Sequence, residues 1–448
     1  MRMLFNLTVA LLFCLSACRQ APQPLPPLAT GDISRVITQM TEVMIHDITN
    51  PPLASRFFSY ACLSGYEVLV QNDSSFRSMH GVINGYPRLQ KPDSLQGYHV
   101  EVSALLAMME TAKKMQPSGK MMDAYEQRFL DSCKKAGYPT EVLEASLSYA
   151  SWVSKKVLAY AKADRYNKIS NYPRYTPVNK PGYWFPTAPA YMAAVEPYFN
   201  TVRPFALDTC SQFIPPPPIA YATKKDSPFY ELMLRNYTVT QDMPKEYRAI
   251  AAFWDCNPFA VQDDGHLILG LKKISPGAHW LGITGIACQQ AKKNFREGMQ
   301  IYTMVSMGLM DGFISCWDEK FRSNRVRPET VIRELVDPHW QPLLQTPPFP
   351  EYLSGHSVIS TASATILSHY FGDQFAYTDS VEVSYGLPAR HFTSFRQAAE
   401  EAAISRFYGG IHFMDAIEQG MVQGKKVGEQ LIKKVTGSKE EVAKSAKE

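Results

Sequence analysis

Three short blocks near the C-terminal end gather residue types able to hold and act on a small anion. In the first, Lys320 and Arg327 stand seven residues apart, which on a helix puts them within about 20° of one face and roughly 10 Å from each other. Pro328 disfavours helical geometry at Arg327, so that arginine is expected at a helix end. Taken alone, cations at this spacing suit a solvated face, and Arg322, Arg325 and Arg333 nearby favour that plainer role. The second block, Ser354-Gly355-His356, opens an apolar helical run through Val358, Ile359, Ala362, Ile366 and Leu367. A helix start offers free N–H donors and a dipole that favours negative charge. Simple capping by Ser354 would explain the serine but leaves His356 unexplained. The third block runs from Ser405 to Asp415, with Arg406 and His412 six residues apart. On one continuous helix they would point about 120° apart, but Gly409-Gly410 permits a break between two helices. Asp415, at i+3, is placed to hydrogen-bond one nitrogen of His412 and fix its tautomer. A carboxylate-oriented histidine suits a nucleophile or a metal ligand.

The elements that must position these residues are helical. Apolar residues recur with period 3.6 from Ile33 to Ile48, and after Asn50-Pro51-Pro52 the pattern resumes from Leu53 to Val70. Further helices are expected near 100–114, 118–135, 140–163, 190–212, 227–252, 279–315, 356–371, 394–408 and 412–434. Strand-like alternation is scarce, so the expected fold is all-α, two packed helical bundles. The division reads as an N-terminal helical region over 33–240, a catalytic helical domain over 241–435 and a polar tail over 436–448. Irregular stretches at 171–189, 215–218 and 337–355 are rich in proline, and the last adjoins the second block. Loops of this length inside a compact domain are often functional.

The chain has 448 residues, 45% hydrophobic and 20% charged, a mix that excludes disordered, collagen-like and polytopic membrane chains. A net charge of +4 gives no reason to expect a nucleic-acid partner. Arg2, the apolar run Met3–Phe13 and Leu15-Ser16-Ala17-Cys18 form an export signal too short to span a membrane. Its ending resembles a bacterial lipoprotein signal, which implies lipidation at Cys18 and a lipid-anchored protein of the cell envelope. Residues 19–32 are polar and proline-rich, an extended tether. Cys62, Cys133, Cys210, Cys256, Cys288 and Cys316 show no CxxC spacing, so neither a zinc site nor a thioredoxin-type motif is expected, while disulfides and buried thiols both remain open.

Together, Lys-x6-Arg-Pro, Ser-Gly-His and Ser-Arg-x5-His-x2-Asp resemble the phosphatidic-acid-phosphatase type 2 and vanadium haloperoxidase superfamily over residues 311–428. Phe349-Pro350-Glu351-Tyr352-Leu353-Ser354-Gly355-His356 is similar to the stretch Phe-Pro-x-Tyr-Pro-Ser-Gly-His of vanadium chloroperoxidases, with Leu353 where that family usually has proline. Trp317 also stands where those enzymes carry a tryptophan beside the site.

The resemblance implies a tetrahedral oxyanion, vanadate or phosphate, held by Lys320, Arg327, Arg406, Ser354 and Gly355. His412 would be the vanadium ligand or phosphorus nucleophile, Asp415 its orienting group and His356 the acid–base residue. Trp317 and Phe349 are candidates for pocket packing, and Asp255 for a contact with Arg406. A vanadate-dependent haloperoxidase using peroxide and halide is the first expectation. A phosphatase acting on phosphate esters through a phosphohistidine, with no cofactor, is the second. A non-catalytic envelope lipoprotein is the third.

Overall fold

Caps and prolines in the sequence mark most of the helix starts. The computed structural model describes residues 25, 27–188, 191–258, 261–263, 267–269 and 274–437. Helix α1 (Thr30–His46) turns Ile33, Val36, Ile37, Met40, Val43 and Met44 inward. Asn50 caps α2 (Pro51–Val70), its Oδ1 accepting from Leu53 N at 2.9 Å. Pro51 and Pro52 fill the first turn, where no amide donor is needed. With α3 (Val100–Met115), α4 (Met121–Lys135) and α5 (Thr140–Lys162) they form a first bundle, in which α3 packs between α2 and α5.

The second bundle comprises α6 (Pro228–Gln241), α7 (Lys245–Phe253), α8 (Pro276–Gln290), α9 (Phe295–Ser323), α10 (Pro328–Leu335), α11 (Gly355–Phe371), α12 (Phe395–Tyr408) and α13 (Met414–Thr436). Helix α9 is buried along most of its length and packs on α2 of the first bundle and on α11 and α13 of the second. One apolar core therefore runs from Ile33 to Val435. Two short antiparallel pairs, β1 (Val261–Asp263) with β2 (Leu267–Leu269) and β3 (Tyr377–Asp379) with β4 (Arg390–Phe392), are minor additions. The architecture is all-α, two packed helical bundles, as the periodicity led us to expect.

Three expected helices differ. The stretch 190–212 holds only a 3-10 turn at Phe199–Thr201 among its described residues, because Pro197 and Pro204 push the residues before them out of helical geometry. The stretch 227–252 breaks at Asp242-Met243-Pro244 for the same reason. The stretch 279–315 is two helices, since Asn294 and Glu297 cap α9 reciprocally, side chain to backbone at 3.0 and 3.1 Å. The tether is shorter than expected, with α1 beginning at Thr30 and Ala29 bridged to Asn294. The export signal with Cys18, and the tail after 437, lie outside the described residues. All six later cysteines are free thiols, and no helix among the described residues is long and apolar enough to cross a membrane.

Helices α11 and α13 meet backbone to backbone. Gly420, Gly424 and Gly428 share one face of α13, and a Cβ on Gly424 would stand 2.1 Å from the Val358 carbonyl oxygen. The same addition at Gly420 or Gly428 would reach the carbonyl oxygens of Ser354 or Ala362 at 3.0 Å. This close approach fixes the N-terminal half of α11, the end that carries Ser354 to His356. Gly424→Val should destabilise the fold by about 1–3 kcal/mol or more in denaturant unfolding, because the obstruction is backbone. Val422→Ala, at an exposed position of the same helix, should change stability by less than about 0.5 kcal/mol.

Candidate active site

The three sequence blocks converge at helix ends. Lys320 lies in the last turn of α9, which Asn324 ends in the left-handed conformation. Arg327 is the extended residue that opens α10, with Pro328 at the first helical position. Arg406 lies in the last turn of α12, and Gly410, at φ 73°, turns the chain so that His412 precedes α13. The proline-rich loop is tied to this turn by a bond from Leu344 N to the Gly409 carbonyl at 3.0 Å. Ser354 caps α11, its Oγ accepting from Ser357 N at 3.3 Å and bonded to Ser357 Oγ at 2.8 Å. Gly355 N–H, at the first helical position, has no acceptor inside the helix.

The cations are buried, not solvated: Lys320 and Arg327 are 0% exposed and Arg406 is 2% exposed. Lys320 Nζ donates to the carbonyls of Pro350 (3.0 Å), Glu351 (3.1 Å) and Leu353. Arg327 donates to the carbonyls of Phe349 (2.9 Å), Ile411 (2.8 Å) and Pro350 (3.3 Å). Arg406 Nη1 donates to the Trp254 carbonyl at 2.6 Å, and Asp255 Oδ1 stands 3.9 Å from its Nη2. The structure thus brings Asp255 to Arg406, though at long range. Burial pulls Lys320 down to about 7, and the Arg327 charge acts the same way. Burial also lowers Arg327 and Arg406, which remain charged because guanidinium starts so high.

The carboxylate on His412 is Glu351, and this corrects the expectation for Asp415. Nδ1 of His412 lies 2.9 Å from Glu351 Oε1, which also accepts from Phe413 N at 2.9 Å. Asp415 turns away from the ring, because Arg325 takes both its oxygens, at 2.5 and 2.7 Å. Arg325 Nε also donates to Glu351 Oε2 at 2.6 Å. A Glu351–Arg325–Asp415 chain therefore backs the imidazole, and Asp415 reaches it only through two other groups. Sequence reasoning gave Arg325 to the solvated face, whereas it is 3% exposed. It gave Glu351 no role, although a lone carboxylate within Phe349–Leu353 was the available signal. Burial and the four surrounding cations push His412 well below the usual histidine range. With the ring neutral and Nδ1–H donating to Glu351, Nε2 is the nitrogen that accepts from Arg327 Nη1 at 3.2 Å.

His356 is also held well below its usual range, by burial and then by Arg406. Its Nε2 and Arg406 Nε are buried without a partner. Both residues line one pocket with His412, Gly355, Trp317 and Phe349. Trp317 and Phe349 pack at 5.0 Å between ring centres, and Lys320 Nζ sits 5.0 Å from the Phe349 ring centre. Among the described residues, Lys320 and Arg327 have no hydrogen bond or ion pair with a carboxylate. Carbonyl dipoles satisfy their donors, and Glu351, without touching either, compensates their charge only from a distance, which is costly in a buried site. A tetrahedral oxyanion in the pocket supplies the missing charge and an acceptor for the unpartnered Arg406 Nε.

Lys320 is protonated below about 7 and progressively neutral above it, and only the protonated form attracts an anion. Phosphate binding to the ligand-free protein should therefore weaken with rising pH relative to Lys320→Met, whose affinity is lower throughout. Calorimetric titration of both proteins between about pH 6 and about pH 9 checks this, since their ratio removes the protonation of phosphate itself.

Comparison with known proteins agrees with this geometry. The family described as the second helical-bundle domain of VCPO matches residues 300–440. A solved bacterial vanadium-dependent iodoperoxidase is 41% identical, with a TM-score of 0.86, covering 92% of this chain and 98% of its own. A holo-type bacterial vanadium-dependent chloroperoxidase shares the fold at 15% identity and TM-score 0.69, covering 93% of this chain and 99% of its own. The apo-type chloroperoxidase does so at 14% and 0.65, over 87% and 95%. No curated protein sequence matches. With 41% identity across nearly the whole of both chains, this chain belongs to the bacterial vanadium-dependent haloperoxidases and is an enzyme of that peroxidase class.

Proposed function

We propose that the enzyme holds vanadate in this pocket and oxidises a halide with hydrogen peroxide, iodide being the first candidate by likeness to the iodoperoxidase. The observation that carries the reading is the buried set Lys320, Arg327 and Arg406 around His412, whose Nδ1 is held by Glu351 so that Nε2 is the nitrogen turned to the cations, 3.2 Å from Arg327 Nη1. Vanadate, when bound, supplies a Lewis-acidic centre that activates peroxide towards halide. The chain's residues do the rest. Lys320, Arg327 and Arg406 would neutralise the oxyanion, Ser354 Oγ and Gly355 N–H would add neutral donors, and His412 Nε2 would hold the metal. His356 Nε2, neutral and unpartnered, accepts a proton from incoming peroxide and later returns one. Trp317 and Phe349 keep water from one side and offer polarisable surface to a large halide. We further propose that the mature protein is lipid-anchored at Cys18 in the bacterial envelope, on the strength of its N-terminal sequence alone.

Purified protein given vanadate, peroxide and iodide should form oxidised iodine, and His412→Ala should not. Release of phosphate from an aryl phosphate, with no iodide oxidation, would put the phosphatase reading in its place. Glu351→Gln should lower vanadate affinity or turnover about 10- to 100-fold, as loss of a group orienting a ligand histidine does. Asp415→Asn acts only through Arg325 and should cost less in the same assay. Cys18→Ser should move the protein from the membrane fraction to the soluble fraction.

A further inference from the structure

Behind one wall of the pocket, four side chains meet that the haloperoxidase chemistry does not use. Cys256 follows α7, His279 lies in the first turn of α8, and Asp379 and Glu382 flank the turn after β3. They are 2%, 0%, 0% and 5% exposed respectively. Cys256 Sγ stands 3.7 Å from His279 Nδ1 and 3.8 Å from Glu382 Oε1, and those two atoms are 3.1 Å apart. On the far side of the ring, His279 Nε2 bonds to Asp379 Oδ2 at 2.8 Å.

We propose that Cys256, His279 and Glu382 form a buried site for zinc or a similar divalent transition metal, with Asp379 orienting the histidine. The distances match the chemistry. Tetrahedral zinc with the usual bond lengths separates sulfur from nitrogen or oxygen by about 3.6 Å, and nitrogen from oxygen by about 3.3 Å. The sulfur is nearly equidistant from the histidine nitrogen and the carboxylate oxygen, at 3.7 and 3.8 Å, as ligands around a shared centre are. Thiolate and imidazole donors select zinc-like ions over calcium or magnesium. A carboxylate on the outer nitrogen of a ligand histidine is the usual supporting contact. Three protein ligands leave a fourth position for water.

The metal would fix the pocket wall, since the segment Trp254–Cys256 serves both places. The Trp254 carbonyl holds Arg406, the Trp254 indole stacks on His279 at 4.6 Å, and Cys256 itself lines the pocket. The site is separate in donor type from the oxyanion pocket, whose nitrogens carry positive charge.

Elemental analysis of the full-length protein, purified without chelator and without vanadate, should find about one zinc per chain. Replacement by cobalt should give a thiolate-to-cobalt charge-transfer band in the near ultraviolet, and chelation should lower the melting temperature. Cys256→Ser should lose the band and the stoichiometric metal. Wild-type protein that takes up neither ion after metal-free reconstitution, or binds cobalt without the thiolate band, overturns the proposal. That outcome does not depend on any variant folding.

Discussion

Positive charge kept out of water without a fixed negative partner is the constraint on which this structure turns. Lys320 and Arg327 could each have been paired with a carboxylate, which would have offset part of the penalty of burying them. Instead Lys320 and Arg327 spend their donors largely on backbone carbonyls of the proline-rich loop, and Arg406 bonds the Trp254 carbonyl. Carbonyls fix the direction of a side chain but neutralise little of its charge, so the pocket keeps its attraction for an oxyanion. Burial pulls Lys320 down to about 7, so the arrangement lies close to discharging itself. The nearby carboxylates are sequestered behind His412, where Arg325 takes up both Glu351 and Asp415. Cations thus face the pocket, and the carboxylates that orient its histidine face away.

Such a charge distribution needs a frame that resists relaxation, because any shift letting Glu351 swing to Lys320 would cancel the pocket. The frame comes from helix ends locked by close packing. α9 delivers Lys320, α10 opens on Arg327, α12 closes on Arg406, and α11 starts at Ser354. The glycine face of α13 lets α11 approach to backbone contact, which holds the cap of α11 more tightly than interdigitated side chains would. The proline-rich loop is bound at intervals, by Glu351 N to the Arg325 carbonyl at 3.0 Å and Ser354 N to the Ala416 carbonyl at 3.1 Å. Its irregular backbone frees carbonyls that a helix would have consumed, and these are the acceptors the cations use.

Helix content, the break at Gly409-Gly410 and the position of Arg327 at a helix end were legible from the sequence because each rests on local rules. Periodicity, the freedom of glycine and the restriction before proline all act within a few residues. Glu351 was not legible as the partner of His412, since the two are 61 residues apart and no spacing rule links a loop to a turn. Asp415 looked right at i+3 but lost to Arg325, a competitor that only the folded chain brings near. The glycine face of α13 had a visible spacing of four, yet the spacing alone does not say which helix it meets. The helix expected at 190–212 failed for a local reason, two prolines within an apolar run, so the fault there was in weighting the pattern above its interruptions.

The segment after α7 shows how far one short loop can couple separate chemistries. Trp254 presents its carbonyl to Arg406 and its indole to His279, and two residues later Cys256 reaches both the pocket and the His279–Glu382 pair. His279 is clamped from its other side by Asp379, itself held by Val381 N at 3.0 Å. From β3 to the guanidinium of Arg406 there is thus one unbroken run of contacts, through Asp379, the stacked rings of His279 and Trp254, and the Trp254 carbonyl. Because that guanidinium has an unpartnered Nε, its position rests on its bond to the Trp254 carbonyl and on Asp255 at 3.9 Å. The wall that the buried cluster steadies is consequently the part of the cation set least able to steady itself.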